Sequence, residues 1–215
     1  MHPLHQVMID AAAGRFPAID GRAETHRPEP GGHHGVFEFT GHAHVLSNGA
    51  PEEVLERGAD GFGGASHPDL LRWLAGPDGW IGSHDAVLVT RGRGGGNLPE
   101  RADLEDHPRV VRARRHRRNV RVHGDTTGVV TLGNGLVDRL EMSVELFDPS
   151  ASGQGAGGAL ISEAIALVPA GTLVWAQVAP GNAASLRAFL RLGFRPIGAE
   201  TLLMPAGTGT ADAPS

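Results

Sequence analysis

Two stretches of the chain bring together residue types that group transfer requires. Residues 139–147 alternate with the period of a strand, placing Leu140, Met142, Val144 and Leu146 on one face and Glu141, Ser143 and Glu145 on the other. One face seeks a core. The other presents two carboxylates, either of which is a candidate to take a proton from a nucleophile, directly or through water. Shortly after, Gly153, Gln154, Gly155, Ala156, Gly157 and Gly158 make a side-chain-poor turn entering a helix. Unpaired N–H groups and the helix dipole favour an anion there, and small residues let a diphosphate approach the main chain. A phosphate-bearing cofactor is the natural guest. Plainer readings stand beside these: a solvated strand face, a tight turn and, for Asn182 and Ser185, the cap of a further helix.

Absences narrow the chemistry. The 215 residues include no cysteine, no tyrosine and no lysine, which removes disulfides, thiolate zinc sites, thiol nucleophiles, Schiff bases and P-loop lysines. Glu, Asp, His and Ser remain for acid and base work. The glycine turn also satisfies G-x-G-x-x-G. However, no acidic residue ends the next strand near position 178, and only 57 residues follow Gly158, too few for paired dinucleotide-binding halves.

A net charge of -5 argues against a general nucleic-acid binder. Seven arginines nevertheless fall between Arg109 and Arg121. They read as a solvated helix, as recognition of a cofactor phosphate or acidic substrate, or as nucleic-acid contact. All twelve histidines lie at or before His123. His33, His34, His42 and His44 could meet at a metal, but neither cysteine nor clustered carboxylates accompany them, so structural or exposed histidines and no metal are expected.

The elements that must position these residues are clearest in the second half. A basic helix over 104–118, a hairpin and the 139–147 strand precede a helix with Leu160, Ile161, Ala164, Ile165 and Val168 in one stripe. The apolar run 172–178 then completes a right-handed parallel βαβ unit. A helix burying Leu186, Phe189 and Leu190 and a strand over 196–204 close the pattern. The fold class expected is α/β, a mixed central sheet flanked by helices. Residues 1–35 show no sustained period and read as an extended N-terminal arm, 36–83 as a region of uncertain fold, 84–204 as the main domain and 205–215 as a flexible tail.

From Glu141 through Phe194 the chain resembles the heart of the GNAT superfamily of acyl-CoA-dependent N-acyltransferases. Pro149, the turn from Gly153 to Gly158, and the later Asn182, Ser185, Leu192, Gly193 and Phe194 carry the likeness, which covers residues 125–204. It implies a GNAT-type sheet, acetyl-CoA as co-substrate, and direct transfer of an acetyl group to a primary amine in a ternary complex. It also implies that the glycine turn with Gln154 grips diphosphate, that the main chain at Val144, Leu146 and Phe147 holds pantetheine, and that Asn182 and Phe189 border the cofactor. Of the carboxylates Glu141 is favoured, because some relatives carry a basic glutamate at that offset. Two positions depart from the family: Ser152 stands where it has Arg or Gln, and Phe189 where many members carry the tyrosine that protonates the thiolate. Ser185, a water or the protonated amine is left for that role.

Two alternatives of other classes are a catalytically silent acyl-CoA-binding sensor or scaffold, and a nucleic-acid-binding adaptor using residues 109–121. The implied acceptor is a small-molecule or peptide amine, and a homodimer is compatible with the sequence. No membrane or nucleic-acid partner is expected. With no run of eighteen apolar residues and no signal-peptide pattern at the N-terminus, a cytoplasmic protein is expected.

Overall fold

The computed structural model describes residues 1–29, 32–151 and 155–206. Along the chain run α1 (Pro3–Ala12), β1 (Ala23–His26), β2 (His34–Phe39), β3 (His42–Leu46), α2 (Pro51–Glu56), α3 (Pro68–Ala75) and β4 (Trp80–Arg91). There follow α4 (Pro108–His116), β5 (Arg118–Gly124), β6 (Gly128–Asn134), β7 (Leu140–Leu146), α5 (Ala156–Leu167), β8 (Leu173–Val178), α6 (Ala183–Arg191) and β9 (Arg195–Met204). The chain divides into two compact units, one of residues 1–86 with 197 onward, the other of 87–196. No helix among the described residues is long and apolar enough to cross a membrane.

The first unit corrects the extended-arm reading of residues 1–35. Pro3 at the first helical position and the His2 ring accepting from Leu4 N start α1. Leu4, Met8, Ala11 and Ala12 are its buried stripe. β1 lies parallel to β3, which forms a hairpin with β2 through Thr40 and Gly41, the glycine at φ 68°. The strand order runs β1-β3-β2-β9, so the last strand, read from sequence as part of the 84–204 domain, pairs with β2 and falls from Ile197 onward in the first unit. Leu203, buried beside Val36 and Val45, is what draws it there. Burial and then the neighbouring charges of His26, His42 and His2 push the pKa of His44 down to about 3.

The second unit has the strand order β4-β8-β7-β6-β5, with β5, β6 and β7 antiparallel and β7 and β8 parallel: the mixed sheet and helices expected from sequence. Adjacent residues of β6 show which helix covers which face. Val129 clusters with Val110 of α4, while Val130 and Leu132 cluster with Leu160, Ile161 and Ile165 of α5. Since neighbours on a strand point oppositely, α4 and α5 cover opposite faces. The tail expectation for 205–215 falls, beyond Ala206, outside the described residues.

Candidate active site

The parallel register of β7 and β8 consists of a single pair, Glu141↔Trp175. On its other edge β7 pairs with β6 along its whole length. Phe147 N donates to Thr127 O, which sets the phase of that ladder: odd residues of β7 bond toward β6, even residues turn toward β8. Past Glu141 the two parallel strands part, and the main chain of Val144 and Leu146 faces the gap. Phe147, expected to share in holding pantetheine, has its N–H committed to β6; its ring packs edge-on to His107, 5.7 Å away.

A cleft of about 760 Å³ occupies this gap. Its wall includes Gly155, Gly157, Gly158 and Ile161 at the start of α5, on one face of the sheet, and Glu145 and Arg109 of α4, on the other. The cleft therefore passes through the sheet where the strands separate. Val144, Leu146, Asn182, Ser185 and Phe189 line it as well, so most of the residues singled out in the sequence meet at one place. Gly153 and Gln154, with Ser152, lie outside the described residues.

The entry to α5 is shaped by glycine. Gly155, at φ 94°, is the N-cap and gives no side-chain cap, so the first N–H groups of the helix are left to other partners. Among the described residues, a Cβ placed on Gly158 would meet nothing within 4 Å, and one on Gly157 only Leu146 Cδ1 at 3.8 Å. The glycines thus leave open space at a helix N-terminus, where a Cβ would intrude on a guest and not on the fold. Asn182 is turned to its own helix: Oδ1 accepts from Ser185 N at 3.1 Å. Asn182→Ala is expected to cost about 1 kcal/mol of stability through the lost cap, read as a lowered denaturation midpoint. Phe189 is 6% exposed and packs edge-on against Phe194 at 4.8 Å, a core residue whose rim reaches the cleft.

The structure separates the two carboxylates. Glu145 reaches the cleft and pairs with Arg109, Nε to Oε2 at 2.7 Å, with both side chains about a third exposed. Glu141, the one favoured from the family pattern, is buried away from it. Arg139 Nε and Arg117 Nε donate to its two oxygens at 2.7 and 2.8 Å, and Leu136 N adds a third bond. Burial pushes the Glu141 carboxyl up, but the Arg139 and Arg117 guanidiniums outweigh it and hold the group below the ordinary carboxylate range. Gly135 must be glycine here, because a Cβ would come within 2.2 Å of the Glu141 carboxylate. With both oxygens held, Glu141 is a structural anchor and has no free path to a substrate.

The arginine run proves to be divided labour. Arg109, Arg114, Arg117 and Arg118 hold Glu145, Glu105, Glu141 and Asp138 in turn. Arg109 and Arg191, the two cationic side chains among the residues lining the cleft, were not distinguished in the sequence. Arg109 was legible only as the first of seven, and its pairing depends on α4 covering the Glu145 face.

No family model matches the chain, and no curated protein matches it. Solved structures do resemble it: a GCN5-related N-acetyltransferase from Kribbella flavida is 16% identical with a TM-score of 0.40 over 65% of this chain. A protein described as an acetyltransferase from the GNAT family, from Novosphingobium aromaticivorans, is 14% identical with a TM-score of 0.36 over 63% of this chain and 69% of its own. A functionally unknown conserved protein from Staphylococcus epidermidis is 12% identical with a TM-score of 0.37 over 64% of this chain and 67% of its own. The chain spans 63% of the length of the Kribbella flavida protein.

Proposed function

We propose that the second unit is an N-acetyltransferase that moves an acetyl group from acetyl-CoA to a primary amine by direct attack. The observation that carries this reading is the cleft through the sheet, with a glycine-lined helix N-terminus on one face and a carboxylate on the other. Such a passage suits a long phosphorylated thioester entering from the α5 side and an amine arriving from the α4 side. Acetyl-CoA supplies the activated acyl group. The first N–H groups of α5 bind diphosphate, and the main chain of Val144 and Leu146 orients the pantetheine amides as a strand would. Glu145 takes the proton that the amine sheds as the C–N bond forms and the C–S bond breaks. Ser185, on the cleft wall, donates a hydrogen bond to the departing sulfur, which leaves as the thiolate and then takes from Glu145, through solvent, the proton the amine gave up.

Titration calorimetry with acetyl-CoA, paired with thiol release over a panel of amines, tests the reading. The protein is expected to bind acetyl-CoA and release thiol with at least one amine. Gly158→Ala is expected to weaken binding about tenfold, or 1.4 kcal/mol, by filling space against the diphosphate. Its melting temperature should hold or rise, since Ala is the better helix former. Absence of binding at millimolar acetyl-CoA would remove the proposal; binding without turnover on any amine would leave a sensor.

A further inference from the structure

The acyl-transfer site uses none of the histidine and carboxylate groups that converge in the first unit. β1 and β3 are parallel with Glu24 opposite His44, so Glu24, His26, His42 and His44 share one face of the pair. Three atoms of this face draw together. His26 Nε2 and His44 Nδ1 are 2.9 Å apart. Glu24 Oε2 stands 3.9 Å from the first and 3.8 Å from the second. At those separations the carboxylate is beyond hydrogen-bond reach of both rings, and the three groups face a gap that a cation would close. The point equidistant from the three atoms lies about 2.1 Å from each, the bond length of zinc to imidazole nitrogen or carboxylate oxygen.

We propose that Glu24, His26 and His44 bind one divalent transition-metal ion of the zinc class at the edge of the first unit's sheet. Two imidazoles and one carboxylate, with a position left for water, suit Zn²⁺, Co²⁺ or Fe²⁺; Mg²⁺ and Ca²⁺ take shells of oxygen. The surroundings fit an ion. His42 Nδ1 is held on Asp20 Oδ1 at 2.8 Å and its Nε2 stands 3.7 Å from Glu24 Oε1, so a second histidine and acid border the carboxylate ligand without a hydrogen bond to it. His44 is 1% exposed, and its Nε2 has no hydrogen-bond partner among the described residues. The Glu24 side chain is 57% exposed and leaves the ion a route from solvent. The ion takes the place of the hydrogen bond between the two rings: the ring that donates in it moves that proton to its outward nitrogen, so both rings stay neutral and each offers its inner nitrogen to the ion. Bound there, it ties the short edge strand β1 to β3.

The test uses the full chain, freed of metal by a chelator and titrated with Zn²⁺ and Co²⁺. One equivalent is expected to bind with a Kd of about 10 μM or tighter, with a melting temperature that rises with metal concentration. Bound Co²⁺ should show visible d–d absorption of a low-coordinate nitrogen and oxygen site. Glu24→Gln changes an exposed side chain and should weaken Zn²⁺ at least tenfold while keeping the metal-free melting temperature; His26→Asn should weaken Zn²⁺ by as much and lower the metal-free melting temperature through the lost bond to His44. Absence of saturable binding below about 100 μM overturns the proposal. So does an unchanged Kd in both variants, which would assign the zinc to other histidines.

Discussion

Glu145→Gln is expected to lower kcat for acetyl transfer by about 10²-fold or more while leaving the fold intact. The expectation rests on position: of the two carboxylates on the polar face of β7, Glu145 lines the cleft and Glu141 does not. Gln keeps the size and one hydrogen bond to Arg109 but cannot accept the amine's proton. The Glu145–Arg109 pair is partly exposed, so its loss should cost about 1 kcal/mol or less of stability. Steady-state kinetics across pH separates a lost base from a displaced substrate. The deficit should shrink as pH approaches the amine's own pKa, because bulk solvent then supplies the neutral nucleophile; a change in KM alone would point to recognition instead. Full kcat in Glu145→Gln would remove this residue as the base.

Glu141→Ala should act on stability. Arg139 is fully buried and Arg117 nearly so, and both guanidiniums close on this one carboxylate. Removing it leaves two cationic groups in a dry interior, which costs about 3 kcal/mol or more and should lower Tm by roughly 6 °C or more. Glu141→Gln, which retains hydrogen bonding without the charge, should fall between the variant and the parent. The pH dependence follows from the direction of the shift. A carboxyl held below its ordinary value when folded contributes stability that is present above the ordinary carboxylate pKa and is lost as pH falls through the folded value. Thermal unfolding of Glu141→Ala should therefore be less sensitive to acidification than that of the parent. A Tm within 1 °C of the parent at neutral pH would show that the clamp holds nothing. If activity in Glu141→Ala recovers in proportion to the folded fraction, the residue acts only as an anchor.

The sequence alone determined the elements whose signals are local. Alternation over residues 139–147, the stripe of α5 and the apolar run of β8 each repeat with the period of the structure they form, and the cap at Asn182 is a bond within its own turn. The glycines of the turn were legible for the same reason, since small residues at a helix start change the main chain's surroundings wherever the chain folds. β1 carried no such signal: four residues, Ala23 to His26, become a strand only because β3 offers them an edge. The metal cluster was missed with it, for Glu24 and His26 meet His44 only through that pairing. α1 is one short helix in a stretch without a sustained period, and its stripe of Leu4, Met8, Ala11 and Ala12 is defined by burial in the first unit.

Tertiary structure alone decided between the two glutamates. By period Glu141 and Glu145 are equivalent, four residues apart on one strand face. Arg117, Arg139 and the loop at Gly135 close over the first, while the parting of β7 from β8 opens a cleft beside the second. Strand periodicity records which way a side chain points; whether it then meets a counter-charge or open space depends on partners far away in sequence, and no local pattern encodes that.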